Sequence, residues 1–105
     1  MYTFIDLLKK IRNEGNHTQE DFANLLDVST VLIAMIETGQ KKPSRAFIEK
    51  LASKLEVHPT SIMPFAFMDK DVDTRKFSKV ERALVAVGED LQDYLVNTKA
   101  RKLRK

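Results

Sequence analysis

Along most of this chain the apolar residues recur three and four positions apart, the spacing of an amphipathic helix rather than of a strand. Phe4, Leu7, Leu8 and Ile11 mark the first such stripe. Thr3 stands before it as an N-cap with Asp6 three residues on, and Tyr2 can staple onto Leu7. Gly15-Asn16 breaks that helix, and Thr18-Gln19-Glu20-Asp21 opens the next with the same capping logic, burying Phe22, Leu25 and Leu26. After a short turn at Asp27-Val28, Ser29 caps a third helix running to about Thr38, where Gly39 supplies the left-handed residue that helix ends favour. Ser44 caps a fourth, with Phe47, Ile48, Leu51, Ala52 and Leu55 on its core face. Pro59 suits the first position of a short fifth helix, because its missing N–H costs nothing there, with Ile62 and Met63 inward before Pro64 ends it.

The period is then lost. Residues 68–74 alternate acidic and polar positions without apolar period, the stretch 68–77 reads as a linker, and Ser78-Lys79-Val80-Glu81 then forms another capping box. It begins a helix of about twenty residues in which Val80, Leu84, Val87, Leu91 and Tyr94 or Leu95 make a narrow seam. The expectation is an all-α chain: a five-helix domain over 1–67, the linker over 68–77, one long C-terminal helix over 78–98, and a basic tail over 99–105. The seam needs a cover, either its own domain or the same helix of a second copy, and dimerisation through Val80, Leu84, Val87, Leu91, Tyr94 and Leu95 is the favoured expectation.

Composition narrows the function classes. The longest apolar run is the six residues of 31–36, far short of the ~20 that a membrane helix needs, and the N-terminus lacks the basic and apolar regions of a signal peptide, so the expected place is cytoplasmic and no membrane partner is expected. With no cysteine there are no disulfides, thiolate metal sites or thiol nucleophiles. His17 and His58 lie far apart with too few ligands near them for a metal, and are expected as surface or turn residues. Neither a glycine-rich phosphate loop nor a catalytic acid pair is present, so the chain is expected to be a non-enzyme without cofactors. The formal charge is +3, but its distribution is uneven: residues 1–68 hold eight Lys/Arg against eight Asp/Glu, while residues 99–105 hold five positive charges.

The segment Thr18-Gln19-Glu20-Asp21-Phe22-Ala23, followed by Val28-Ser29, Ile33, Ile36-Glu37, Gly39 and Pro43-Ser44, resembles the Xre/Cro-type helix-turn-helix family of phage and bacterial repressors over about residues 4–65. Ala23 stands where the second helix would cross the third, and a small side chain leaves room for the tight turn between them. The resemblance implies that Gln19 contacts phosphate or a base, that Thr30, Val31, Ala34 and Met35 face the major groove, and that Thr38, Lys41, Lys42, Ser44 and Arg45 line the phosphate backbone. Ser29 belongs to this set as well, although Ser29 and Ser44 are helix caps first. It further implies a structural ion pair between Arg12 and Glu37.

In two respects the sequence departs from the family. Val31, Ala34 and Met35 are apolar where members usually carry several hydrogen-bonding side chains, which shifts readout toward thymine methyls, phosphates and DNA shape. Asp27 and Glu56 stand where the family commonly has glycine at helix ends. The expected function is a sequence-specific transcriptional regulator, a repressor binding double-stranded DNA at a near-palindromic operator as a homodimer. The alternatives are an antitoxin-type autorepressor whose C-terminal segment holds a toxin, and a protein-interaction module such as an anti-repressor that uses the same fold without DNA.

Overall fold

A computed structural model of the protein describes residues 2–67 and 78–104, so the linker expected over 68–77 lies outside the described residues, as does Lys105 of the tail. Among the described residues there are helices and turns and no strands. The helices are α1 (Phe4–Glu14), α2 (Gln19–Leu26), α3 (Thr30–Glu37), α4 (Arg45–Leu55) and α5 (Lys79–Tyr94).

Side-chain caps start all five. The hydroxyls of Thr3, Thr18, Ser29, Ser44 and Ser78 accept from the N–H groups of Asp6, Asp21, Leu32, Phe47 and Glu81, each satisfying a donor that the first helical turn leaves orphaned. The capping box is reciprocal at α2 and α5, where Asp21 and Glu81 accept from the cap N–H. At α1 only the Thr3 half forms. Three helix ends turn through left-handed residues without glycine: Asn16 at φ 60°, Asp27 at φ 55° and Glu56 at φ 57°. Gly39 follows α3 at φ 79°. Gly15 is not left-handed (φ −78°); its use is space, since a Cβ there would come within 2.7 Å of the His17 ring.

The core gathers Phe4, Leu7, Leu8 and Ile11 of α1, Phe22, Ala23 and Leu26 of α2, Ile33 and Ile36 of α3, and the α4 stripe from Phe47 to Leu55. Burying each of these large side chains contributes about 1.5–3 kcal/mol, so the stripes and not the short helices' own propensities hold the fold. The expected fifth helix is instead two 3₁₀ turns, Pro59–Ser61 and Met63–Phe67. Pro64 lies inside the second rather than ending the first; it has no N–H to return to residue 60, which denies this stretch the α-helical ladder. Ile62 and Phe65 are nonetheless buried in the core.

The C-terminal region departs from its expected boundaries. After α5 the helix continues without a break through a wider π turn (Leu95–Lys99) and a 3₁₀ turn (Ala100–Leu103). Leu95, Val96 and Ala100 are buried in the same core as α1, and Leu103 packs against it. Gln92, also buried, clamps the N-terminus: the Tyr2 N–H donates to its Oε1 (2.8 Å) and its Nε2 donates to the Tyr2 carbonyl (2.9 Å). Residues 99–104 are therefore part of the domain and not a solvated tail, because apolar side chains spaced among the lysines and arginines give the segment a face to bury.

Candidate nucleic-acid interface

The α2–α3 unit is fixed from inside. Ala23 is buried at the crossing, and the Val28 N–H returns to the Ala23 carbonyl across the Asp27 turn. Lys50 of α4 donates from Nζ to the Asp27 carbonyl (3.0 Å), setting a cation at the negative end of α2. Ile33, Ile36 and Glu37 take the inner face of α3, leaving Thr30, Val31, Ala34 and Met35 toward the outside.

Those expected groove positions differ in exposure. Thr30 is exposed and Val31 is 66% exposed, while Ala34 and Met35 are half-buried. After α3, Thr38, Lys41, Lys42, Ser44 and Arg45 are all exposed along the loop into α4. Several already hold partners within the chain. Thr38 donates its hydroxyl to the Ala34 carbonyl (2.9 Å), Ser29 and Ser44 serve as caps, and Arg45 pairs with Glu49 one turn along α4 (3.0 Å). The Arg45 pair is solvent-exposed and worth little, so its guanidinium is readily given to a phosphate.

Arg12 and Glu37 meet as a two-pronged pair, with Nε to Oε2 at 2.9 Å and Nη2 to Oε1 at 3.0 Å. Arg12 also donates from Nη1 to the His17 carbonyl (3.0 Å), and Gln19 donates from Nε2 to Glu37 (3.4 Å). One buried carboxylate thus ties α1, the α1–α2 turn and the start of α2 to the end of α3. The cluster fixes the angle at which α3 is presented, and it holds half-buried Gln19 at the head of α2.

The seam expected on α5 is divided by depth. Val80, Leu84 and Val87 are 65–70% exposed and Tyr94 is 44% exposed, whereas Leu91 is half-buried and Leu95 is fully buried in the chain's own core. Only the N-terminal half of α5 offers an apolar stripe outward.

Sequence reasoning passed over the clasp between the C-terminal turn and α1. The Leu103 carbonyl can only accept, so His17 Nε2 carries the proton that bridges them at 2.6 Å, and its Nδ1 is buried without a partner. Arg101 and Arg104 both bond the Glu14 carboxylate, and Arg104 donates from Nε to the Glu14 carbonyl (3.1 Å). The Arg101 hydrogen bond is the main reason the Glu14 carboxyl titrates below its ordinary range, with the Coulombic pull of both arginines opposed by partial desolvation. The legible signal was the apolar series Leu95, Val96, Ala100 and Leu103 within the charge run.

Among the described residues no group of three or more His, Cys, Asp or Glu side chains could hold a metal ion, and no helix is long and apolar enough to cross a membrane. His58 acts as a cap, accepting from the Thr60 N–H (3.2 Å). Residues 8–62, more than half of the chain, match the sequence model of a helix-turn-helix family. Searches of curated proteins and of solved structures find no significant match.

Proposed function

Because the chain belongs to the Xre/Cro-like helix-turn-helix family, whose domain points to a DNA-binding transcription regulator, we propose that it is a repressor that binds a near-palindromic operator as a dimer. The observation that carries this reading is the outward face of α3, with Thr30 and Val31 at its N-terminal end, flanked by the exposed Lys41, Lys42 and Arg45. B-DNA's major groove admits one α-helix, and a helix presented on this angled support lays its N-terminal half against base edges while its neighbours grip phosphate. Thymine methyls are the natural contact for Val31, Ala34 and Met35.

Dimerisation is assigned to the outward stripe of α5. Leu84 at its centre, with Val80 and Val87 on either side, is too much exposed apolar surface on one helix to be left to water, and a second copy of the same helix covers it with like residues. Two-fold symmetry would then set the recognition helices about one DNA turn apart, ~34 Å. The same stripe also supports the antitoxin reading, in which a toxin covers α5, and an anti-repressor would use the α3 face on a protein.

A gel-shift titration on the DNA upstream of the protein's own coding region, run from low to high salt, tests the proposal. Specific binding whose affinity falls steeply with salt is expected. Absence of binding at micromolar protein, with a partner protein co-purifying, would overturn it in favour of the protein-interaction reading.

A further inference from the structure

Duplex binding is driven by neutralising phosphates, yet residues 1–68, which hold the whole helix-turn-helix, balance eight basic against eight acidic side chains. Glu20 and Asp21 in the first turn of α2 add negative charge at the helix end where phosphate is usually met. The excess charge of the chain lies in residues 99–105, and the fold brings residues 99–104 back to this place. Leu95, Val96 and Ala100 anchor it in the core, and the Leu103 carbonyl accepts from His17, the residue directly before the α2 cap Thr18. Gln19, at the head of α2, is tied to the same region through Glu37 and Arg12, which itself donates to the His17 carbonyl. Two arginines share the one Glu14 carboxylate, so their charge exceeds it by one, and exposed Lys102 adds another. The Arg101 and Arg104 side chains remain 58% and 60% exposed while so held.

We propose that Arg101, Lys102 and Arg104 form a second phosphate-contact surface for duplex DNA, held beside the start of α2 by the His17–Leu103 bond and the Glu14 bridges. This rests on the reading of α2–α3 as the DNA-binding pair. The C-terminal turn supplies the positive charge that the helix-turn-helix lacks. It contacts backbone and not bases, so it adds affinity for every sequence alike.

Fluorescence anisotropy with two labelled duplexes, the upstream DNA and a random sequence, tests it through the slope of log affinity against log salt. The intact protein is compared with Lys102→Gln/Arg104→Gln and with Lys41→Gln/Lys42→Gln. Each lost phosphate contact lowers the slope by about 0.9, so the C-terminal double variant is expected to lose about 1.8 on both duplexes. An unchanged slope for that variant, with the Lys41/Lys42 variant reduced, overturns the second surface and leaves the helix-turn-helix reading standing. Failure of the intact protein to bind either duplex overturns both. A second readout does not depend on the Glu14 bridges: the sequence holds no cysteine, so Lys102→Cys carrying an iron chelate is a unique label. Hydroxyl-radical cleavage of the backbone flanking the protected site is expected, and its absence on bound DNA overturns the proposal.

Discussion

Glu56 ends α4 at φ 57°, a conformation that costs a side chain with a Cβ about 1 kcal/mol against glycine. Glu56→Gly is expected to raise stability by about that amount in a chemical denaturation curve, and a lowered midpoint would show that Glu56 makes a contribution outweighing its strain. The opposite sign applies at Arg12. Glu37 is 3% exposed, and removing its two-pronged partner leaves a buried carboxylate with only the long Gln19 contact. Arg12→Ala is expected to cost about 3 kcal/mol or more, also read from denaturant unfolding, while Arg12→Lys recovers part of it as a single-pronged partner. Both positions were legible in the sequence: Glu56 as a non-glycine where glycine is usual, and Arg12 through the family resemblance. The His17 bond was not. A lone histidine after a Gly-Asn break carries no sign that a carbonyl 86 residues onward will meet its ring.

At the scale of the helices, the capping residues and the three-four stripes made α1 to α4 readable almost to the residue, because each start has a hydroxyl and each stripe a single buried face. The fifth helix differs from its expected form because Pro64 has no N–H to return to residue 60, and the chain settles for 3₁₀ turns. The C-terminal end was misread because its charges outnumber its apolar residues; Ala100 and Leu103 count for little in composition and for much in packing. Gln92 is the polar counterpart of that error. Its amide is bonded at both ends to the Tyr2 backbone, and Gln92→Ala would leave a half-buried donor and acceptor without their partner at a cost of about 1 kcal/mol, measurable as a lower melting temperature. An equally stable variant would show that water satisfies Tyr2 just as well.

The clasp of the C-terminal turn also has a pH dependence whose sign follows from Glu14. Its carboxyl titrates below the ordinary 4.5, chiefly through Arg101, so the ionised form is the one the docked state favours. The contribution is fully present above that ordinary value and is lost as pH falls through the lowered one. The Glu14 contribution is expected to appear as a quickening of hydrogen exchange at residues 99–104, beyond its intrinsic pH trend, below about pH 4.5, and Glu14→Gln should remove that step. The same step in the variant would place its origin elsewhere.

For the whole molecule, three exposed surfaces carry the proposed functions: the α3 face with Lys41 and Lys42 in the loop after it, the C-terminal turn, and the outward stripe of α5. In the proposed dimer through α5, two-fold symmetry would double a groove contact that is thin in hydrogen bonds. Leu84→Glu with Val87→Glu would place like charges in that stripe. Sedimentation is expected to show a monomer whose operator affinity falls more than tenfold, while its fold is kept because both positions are exposed. A variant that sediments like the parent protein would move the dimer contact away from α5.

DNA binding through this domain requires α3 to enter the groove, and Val31→Asp challenges that contact. Val31 is 66% exposed at the second position of α3, where a carboxylate suits the helix dipole and costs the fold nothing, but against DNA it sets negative charge toward the groove. A footprint on the upstream DNA, taken beside the parent protein at one salt concentration, is expected to lose its protection entirely while the melting temperature holds. Undiminished protection by Val31→Asp would mean that α3 is not the recognition helix.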